Sequence, residues 1–214
     1  MGPFRQIEGF TNIILSSHSE FFDEKTTRHF QHILNGSKSG AAIIEALLRH
    51  SKLITKDFNK TEFDCNAVFE QVHTQLSTML ESSKASICYQ NIPVIVGDRD
   101  LIYQLFYELI HNALLYQAPD NNPAIRIQVK EDSELWEFCI QDNGIGFRSS
   151  ASERIFIALR RAVSQKIYPG IGMGLTTAKT IVQRHGGSIW ATTEESIGSK
   201  FYFTLRKSTT CDRD

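Results

Sequence analysis

Glu108 and Asn112 stand four residues apart in "ELIHNALLYQ", a spacing that puts both polar side chains on one face of a helix. Their neighbours are mostly apolar, and burying an unpaired carboxylate or amide is costly. Either this face meets solvent or the pair serves something polar. A second cluster, "DNGIGF", begins at Asp142. Asn-Gly by itself is a hairpin turn signal, but Gly146 follows Gly144 after one residue, and a turn does not need it. Two such glycines allow a backbone to approach a ligand closely. A carboxylate at the strand end beside them can accept a hydrogen bond from an amine. The third cluster is "GIGMGL", with Gly170, Gly172, Met173, Gly174 and Leu175 leading into a helix. Free amides and the helix dipole at such a start favour an anion, typically a phosphate. The spacing is neither GxxxxGK[ST] nor GxGxxG.

These clusters need elements to position them. Apolar residues in "LIYQLFYELIHNALLYQ" predict a helix, capped by Asp98 or Asp100. Ile125, Ile127 and Val129 alternate with polar residues, and so do Trp136, Phe138 and Ile140. Both runs read as half-buried strands, the second ending at Asp142. A helix over about Leu175 to His185 stops at Gly186-Gly187. "SICYQ", "PVIVGD", "SIWATTEE" and "KFYFTLR" read as further strands, and "NAVFEQVHTQLSTMLESSK" as one helix. Helices mixed with hairpin-linked strands predict a mixed sheet with helices on one face, a two-layer α/β sandwich.

The first sixty or so residues are different. Ile7, Phe10, Ile14, Ser17 and Phe21 form one helical stripe. Phe30, Leu34, Ser37, Ala41, Ile44, Leu48 and Ser51 form a second, with a turn at Asp23-Glu24. The fold class is therefore α+β: a helical hairpin over 1–58, then the sandwich over 61–208. Each stripe of a lone hairpin is half covered. It packs on the rest of its own chain or, as the sustained spacing favours, pairs with a second copy in a four-helix bundle.

With 23 Lys and Arg against 24 Asp and Glu, the net charge is −1, and nothing in the balance points to nucleic acid. There is no membrane-spanning apolar run and no secretory signal pattern. Cys65, Cys88, Cys139 and Cys211 are scattered without a CxxC pair, as expected for reduced thiols in a cytoplasmic protein. The end, "CDRD", reads as frayed.

The three clusters follow one another at intervals of about thirty residues. That order resembles the N, G1 and G2 boxes of the histidine-kinase ATP-binding domain, in the superfamily of gyrase, Hsp90 and MutL. "GSKFYFTL" resembles the end of that domain. "YPGIGMGLTTAKTIVQRHGGSIW" and "APDNNPAIRIQV" look most like phytochrome-type sensor kinases. The resemblance implies that ATP and Mg²⁺ are the cofactors. It makes Asn112 the Mg²⁺ ligand, a hard amide oxygen suited to that ion. Tyr116 lies against the adenine, and Asp142 accepts its amino group. Gly144 and Gly146 pass under the base. Gly170, Gly172 and Gly174, with Met173 and Leu175, form the lid hinge and offer amides to the phosphates. Ser199 assists at the adenine through water. "RIFIALRRAVSQKIYPG" resembles the lid, with Arg161 at the family's arginine as a γ-phosphate contact; read without the family, Arg160 and Arg161 are a solvated basic turn.

The chain departs from the family pattern at several positions. Leu115 replaces a common Lys, Ile171 a Thr or Ser, and Val163 the lid His. Glu108 stands where many histidine kinases have Asn. In gyrase-like relatives a Glu here is the base for water attack, so Glu108 activates a nucleophile or helps hold Mg²⁺. The hairpin resembles the dimerisation and phosphotransfer hairpin, whose box is similar to "SHDLxxPLRxIxGF". Pro3 of "MGPFRQIEGF" aligns with its proline, which puts the acceptor His before residue 1. His18 in "SSHSEFF" is a poor substitute, and His29, His32 and His50 poorer still; His111 and His185 read as structural. The expected function is a histidine-kinase core that passes the γ-phosphate to a His and on to a response regulator receiver domain. Two alternatives stand beside it: a catalytically silent docking protein that binds a regulator or partner kinase, and a gyrase- or Hsp90-type ATPase.

Overall fold

The computed structural model describes residues 2–90, 92–161, 168–194 and 197–207. Val163, Cys211 and the "CDRD" end lie outside them. The chain divides into two units, Met1–Lys52 and Leu53–Asp214, so the division falls inside a helix.

The first unit holds α1 (Gly2–Ser17) and most of α2 (Glu24–Thr55), joined by a single 3-10 turn at Ser19–Phe21. Asp23 starts α2 by accepting the Thr26 amide at 2.7 Å, as an N-cap does. Small residues bring the helices together. A Cβ on Gly40 would lie 2.6 Å from the Phe4 ring, and the Ser37 hydroxyl donates to the Phe4 carbonyl at 2.9 Å. Of the expected first stripe, Ile7, Phe10 and Phe21 are exposed and Ile14 is half-buried. Ile13, Ile33, Ile44, Leu47 and Leu48 are exposed as well. Thr11, Ser37 and Ala46 are buried instead, and the closest approach follows the small residues Ser37 and Gly40.

In the second unit, β2 (Ser86–Tyr89), β4 (Ala124–Glu131), β5 (Leu135–Asp142), β7 (Gly198–Arg206) and β6 (Ile189–Glu194) form a five-stranded sheet in the order β2-β4-β5-β7-β6. Only β2–β4 is parallel, so the sheet is mixed as expected. β1 (Thr61–Asp64) and β3 (Val94–Gly97) pair antiparallel in a small sheet of their own. "PVIVGD" thus becomes a strand outside the main sheet. The predicted helix at Asn66–Lys84 is two, α3 (Cys65–Gln75) and α4 (Ser77–Ser83), broken at the buried Leu76; no Gly or Pro marks the break.

One face of the sheet carries α3, α5 (Arg99–Leu115) and α6 (Gly174–Arg184). Phe69, Phe106, Phe138, Phe203, Leu105, Leu109, Ile140 and Ile181 are wholly buried between the layers, each contributing about 1.5–3 kcal/mol. The Phe138 and Phe203 rings stack at 4.8 Å across β5 and β7. Cys65 is buried, and burial pushes its thiol up to about 12, which leaves it unreactive. Cys65, Cys88 and Cys139 are free thiols. Among the described residues no helix is long and apolar enough to cross a membrane.

Candidate functional site

The site is built on α5. Asp98 caps it, accepting the Leu101 amide at 3.1 Å. The apolar face of α5 (Leu105, Phe106, Leu109, Ile110, Ala113) is locked in the core. That fixes the opposite face, where Glu108 and Asn112 are half-buried. The two face the start of α6: a Cβ on Gly174 would lie 2.6 Å from Glu108 Oε2 and 3.7 Å from Asn112 Nδ2. A side chain at 174 would displace the carboxylate. "ELIHNA" and "GIGMGL", some sixty residues apart in sequence, therefore form one wall. The Met173 N-cap supplies no side-chain bond to the helix start, so the first amides of α6 keep their donors for a ligand. Leu175 is half-buried and Met173 buried beside them.

The second wall starts where β5 ends. Asp142 is 8% exposed. Its Oδ1 accepts both the Gly144 amide at 2.8 Å and the Ser199 amide at 3.2 Å. Among the described residues no donor reaches Oδ2. Burial raises the carboxyl from 3.8 to about 6, against the lowering effect of the two amides. Ser199 thus meets Asp142 through its backbone, where the sequence suggested a role through water. Gly144 is required by a close approach: a Cβ there would lie 2.3 Å from the Tyr116 carbonyl oxygen. That carbonyl accepts the Ile145 amide at 3.0 Å, tying the "DNGIGF" turn to the end of α5. Gly146, Gly170 and Gly172 have positive φ.

The Tyr116 ring lies 5.4 Å from that of Tyr168, whose hydroxyl donates to the Gln117 carbonyl at 2.9 Å. Arg161 Nη1 donates to the Gly170 carbonyl at 2.8 Å and Nη2 to that of Tyr168, while its buried Nε has no partner. Arg161 therefore holds the carbonyl of Tyr168, just before the third cluster, and that of Gly170, its first residue. The Leu159 amide donates to the Gly172 carbonyl at 3.0 Å. So Glu108, Asn112, Gly174 and their neighbours come together on one wall, and Asp142, Gly144 and Ser199 on the other.

Sequence reasoning gave no role to three residues that hold these walls. Tyr168, in the stretch that resembles the lid, packs on Tyr116 and bonds the Gln117 carbonyl. Asn143 stitches the turn to the preceding loop: its Oδ1 accepts the Ala124 amide at 2.7 Å and its Nδ2 donates to the Asn122 carbonyl at 3.0 Å. Gln117 follows Tyr116 directly. The one available signal was the polar "DNNP" turn opposite "DNG", whose mutual fit only the register of β4 on β5 reveals.

Glu108 and Asn112 together offer two hard oxygen donors beside a helix start, a donor set that fits Mg²⁺ shared with a phosphate ligand. Among the described residues no three His, Cys, Asp or Glu side chains gather as a metal site. A Mg²⁺ here would complete its shell with phosphate oxygens and water, as that ion commonly does.

Residues 97–209 match the family described as histidine kinase-, DNA gyrase B- and HSP90-like ATPase. The chain is 30% identical over 203 residues to the phytochrome-like protein Cph1 of Synechocystis, covering 95% of this chain and 27% of that protein. It is 38% identical over 111 residues to the sensor histidine kinase WalK of Bacillus subtilis, covering 50% and 18%. The chain thus spans about a quarter of Cph1 and less of WalK. Among solved structures, full-length ShkA in complex with AMPPNP aligns with a TM-score of 0.67 at 16% identity, over 97% of this chain and 44% of that one. Histidine kinase ThkA in complex with the response regulator protein TrrA aligns at 0.65 and 19% identity, over 96% and 59%.

Proposed function

The chain belongs to the histidine kinase-, DNA gyrase B- and HSP90-like ATPase family, and from that membership we propose that its second unit binds Mg²⁺-ATP as the catalytic part of a two-component sensor kinase. The observation that carries this reading is Asp142. A carboxylate is held buried at a strand end with one oxygen tied to two amides and the other left for a ligand. That arrangement suits the adenine amino group, with Tyr116 against the ring and Gly144 beneath it. The amides at the start of α6 take the phosphates. Asn112, with Glu108, holds the cation, which when bound screens phosphate charge.

In this reading Glu108 also serves as the base that orients the attacking nucleophile, a histidine on a partner helix. Arg161 reaches the γ-phosphate only by leaving the carbonyls of Tyr168 and Gly170, so that its contact accompanies a rearrangement of the lid. The first unit pairs with a second copy through the exposed Ile7, Phe10, Ile13 and Ile33. It also supplies the surface on which a response regulator receiver domain docks; ThkA is the precedent for such a complex.

A second reading is a docking protein that holds nucleotide without turning it over. The engaged guanidinium of Arg161 favours it. One assay separates the two: incubate the chain with γ-labelled ATP and Mg²⁺, alone and with a protein bearing an intact acceptor helix. Label on the added helix supports the kinase. Binding without any transfer supports the docking protein. Steady phosphate release without an acceptor points to a gyrase-type ATPase, and no nucleotide binding refutes the proposal. Size-exclusion chromatography with light scattering should give twice the chain mass of 24.3 kDa; a monomer would refute the pairing.

A further inference from the structure

The connector that leaves α2 is held by side chains that the nucleotide site does not use. Arg184, the last residue of α6, donates through Nη1 to the Leu53 carbonyl and through Nη2 to the Lys56 carbonyl. Its guanidinium lies 5.5 Å from the centre of the Phe58 ring, within cation–π range. Phe58 in turn sets its edge against His185 at 4.7 Å. His185 is buried and satisfied on both nitrogens. Nδ1 donates to the Ile181 carbonyl at 2.8 Å and Nε2 accepts the Asp98 amide at 3.1 Å, the neutral tautomer that these partners require. The fit is tight, since a Cβ on Gly97 would lie 2.8 Å from the His185 ring. Asp98 completes the latch: one carboxylate oxygen caps α5 and the other accepts the Asn59 amide at 3.1 Å.

The latch closes the far end of the same two helices that form the phosphate wall. α6 begins at Gly174 against Glu108 and Asn112 and ends at Arg184 and His185 against Asp98, so it runs antiparallel to α5. At 11 residues it spans about 16 Å. Ala178, Ile181 and Val182 along it are wholly buried, and a close-packed helix shifts as a body rather than compressing. Near its start the Thr176 hydroxyl donates to the Phe156 carbonyl of the lid at 3.2 Å. A displacement at either end of α6 is therefore felt at the other.

We propose that α6 couples nucleotide occupancy to the hold on the connector Leu53–Asn59, with Arg184 and His185 as the positioning residues. The coupling rests on the nucleotide-binding reading given above. It has a thermodynamic consequence. If nucleotide tightens the latch by some factor, loss of the latch weakens nucleotide by that same factor, commonly about 5- to 150-fold for coupled sites.

The test is amide hydrogen exchange across 53–60, with the Asn59 amide as reporter, on the whole chain with and without saturating Mg²⁺-AMPPNP. Calorimetry on the same samples measures binding. In the unaltered chain the nucleotide should slow exchange at least about 5-fold. In Arg184→Ala the connector should exchange faster and show no response to nucleotide, while the AMPPNP Kd rises by the factor seen in exchange. Arg184→Lys, which keeps the cation and loses the fork, should fall between the two. Phe58→Leu gives a second variant with the same expected outcome should Arg184→Ala fold poorly. Heat of AMPPNP binding with unchanged connector exchange overturns the coupling and leaves the nucleotide site standing. So does an Arg184→Ala chain that responds like the parent. Absence of binding heat in every variant overturns the nucleotide reading, and the coupling with it.

Discussion

Asp142→Asn should weaken ATP binding and at the same time stabilise the fold. The carboxyl is raised from 3.8 to about 6 by burial. At about 1.36 kcal/mol per pH unit, carrying the charge costs about 3 kcal/mol. The sign follows from linkage: a raised folded pKa gives stability that is present below the unfolded value and lost as pH rises through the folded one. At pH 8 the whole cost is paid. By pH 5 the folded carboxyl is about tenfold more protonated than ionised, which returns about 1.4 kcal/mol. Asn carries no charge, and its Oδ1 can keep both the Gly144 and Ser199 amides. The variant should therefore gain up to about 3 kcal/mol over the parent at pH 8, and the gain should shrink by about 1.4 kcal/mol at pH 5. With Oδ1 committed, the amide nitrogen takes the place of Oδ2 and presents a donor to the donor of adenine. Losing a charge-assisted bond costs about 1.5–3 kcal/mol, a rise in Kd of roughly 10- to 150-fold. Urea unfolding at the two pH values and ATP calorimetry measure both quantities. A variant that binds ATP like the parent would refute the adenine assignment. A stability difference independent of pH would refute the buried, protonation-linked carboxylate.

Gly144→Ala forces a methyl to 2.3 Å from the Tyr116 carbonyl, and the overpacking should cost about 1–3 kcal/mol; an unchanged urea midpoint would mean that the turn is looser than described. Glu108→Gln should cut phosphoryl transfer to a supplied acceptor helix by about 10²-fold or more and also weaken Mg²⁺-ATP, since a neutral amide holds the cation less well than a carboxylate; an unaltered transfer rate would remove Glu108 from the base role. Burial lowers the His185 pKa below 6.5, so its contribution to stability is present above pH 6.5 and is lost as pH falls through the folded value. The stability advantage of the parent over His185→Leu, followed by thermal unfolding, should accordingly shrink from pH 7.5 to pH 5.5, and a constant advantage would show that His185 does not titrate with unfolding.

The parts of the fold that were legible in the sequence are those where one periodicity governs. β4 and β5 alternate because one face meets the helices, and α5 shows its core stripe because the other face meets the site. Local chemistry offers Asp98 or Asp100 as the cap, and Asp98 is the one that takes the role. The break at Leu76 left no such mark, since the residue is apolar, buried and a good helix former. The exposed stripe of α1 is legible only in part. Periodicity reports which face is apolar and says nothing of what covers it, while the contacts that do form follow the small residues Ser37 and Gly40.

The same distinction explains the site. Residue type and spacing selected Glu108, Asn112, Asp142 and the glycines, because their roles depend on chemistry that the letters carry. What holds them was silent, because it runs through main-chain groups. The Ser199 amide meets Asp142, the Tyr116 carbonyl meets Gly144 and Ile145, and the carbonyls of Tyr168 and Gly170 take Arg161. Every residue type has those groups, so no pattern of letters announces them. Arg161 shows the cost of this. Its position in the lid motif suggests a phosphate, yet a guanidinium binds carbonyl oxygens with the same fork that it offers to phosphate oxygens. Which partner it takes depends on whether the lid carbonyls or an anion lie within reach. In the proposed nucleotide-binding reading, a triphosphate has to out-compete the carbonyls of Tyr168 and Gly170 to recruit Arg161.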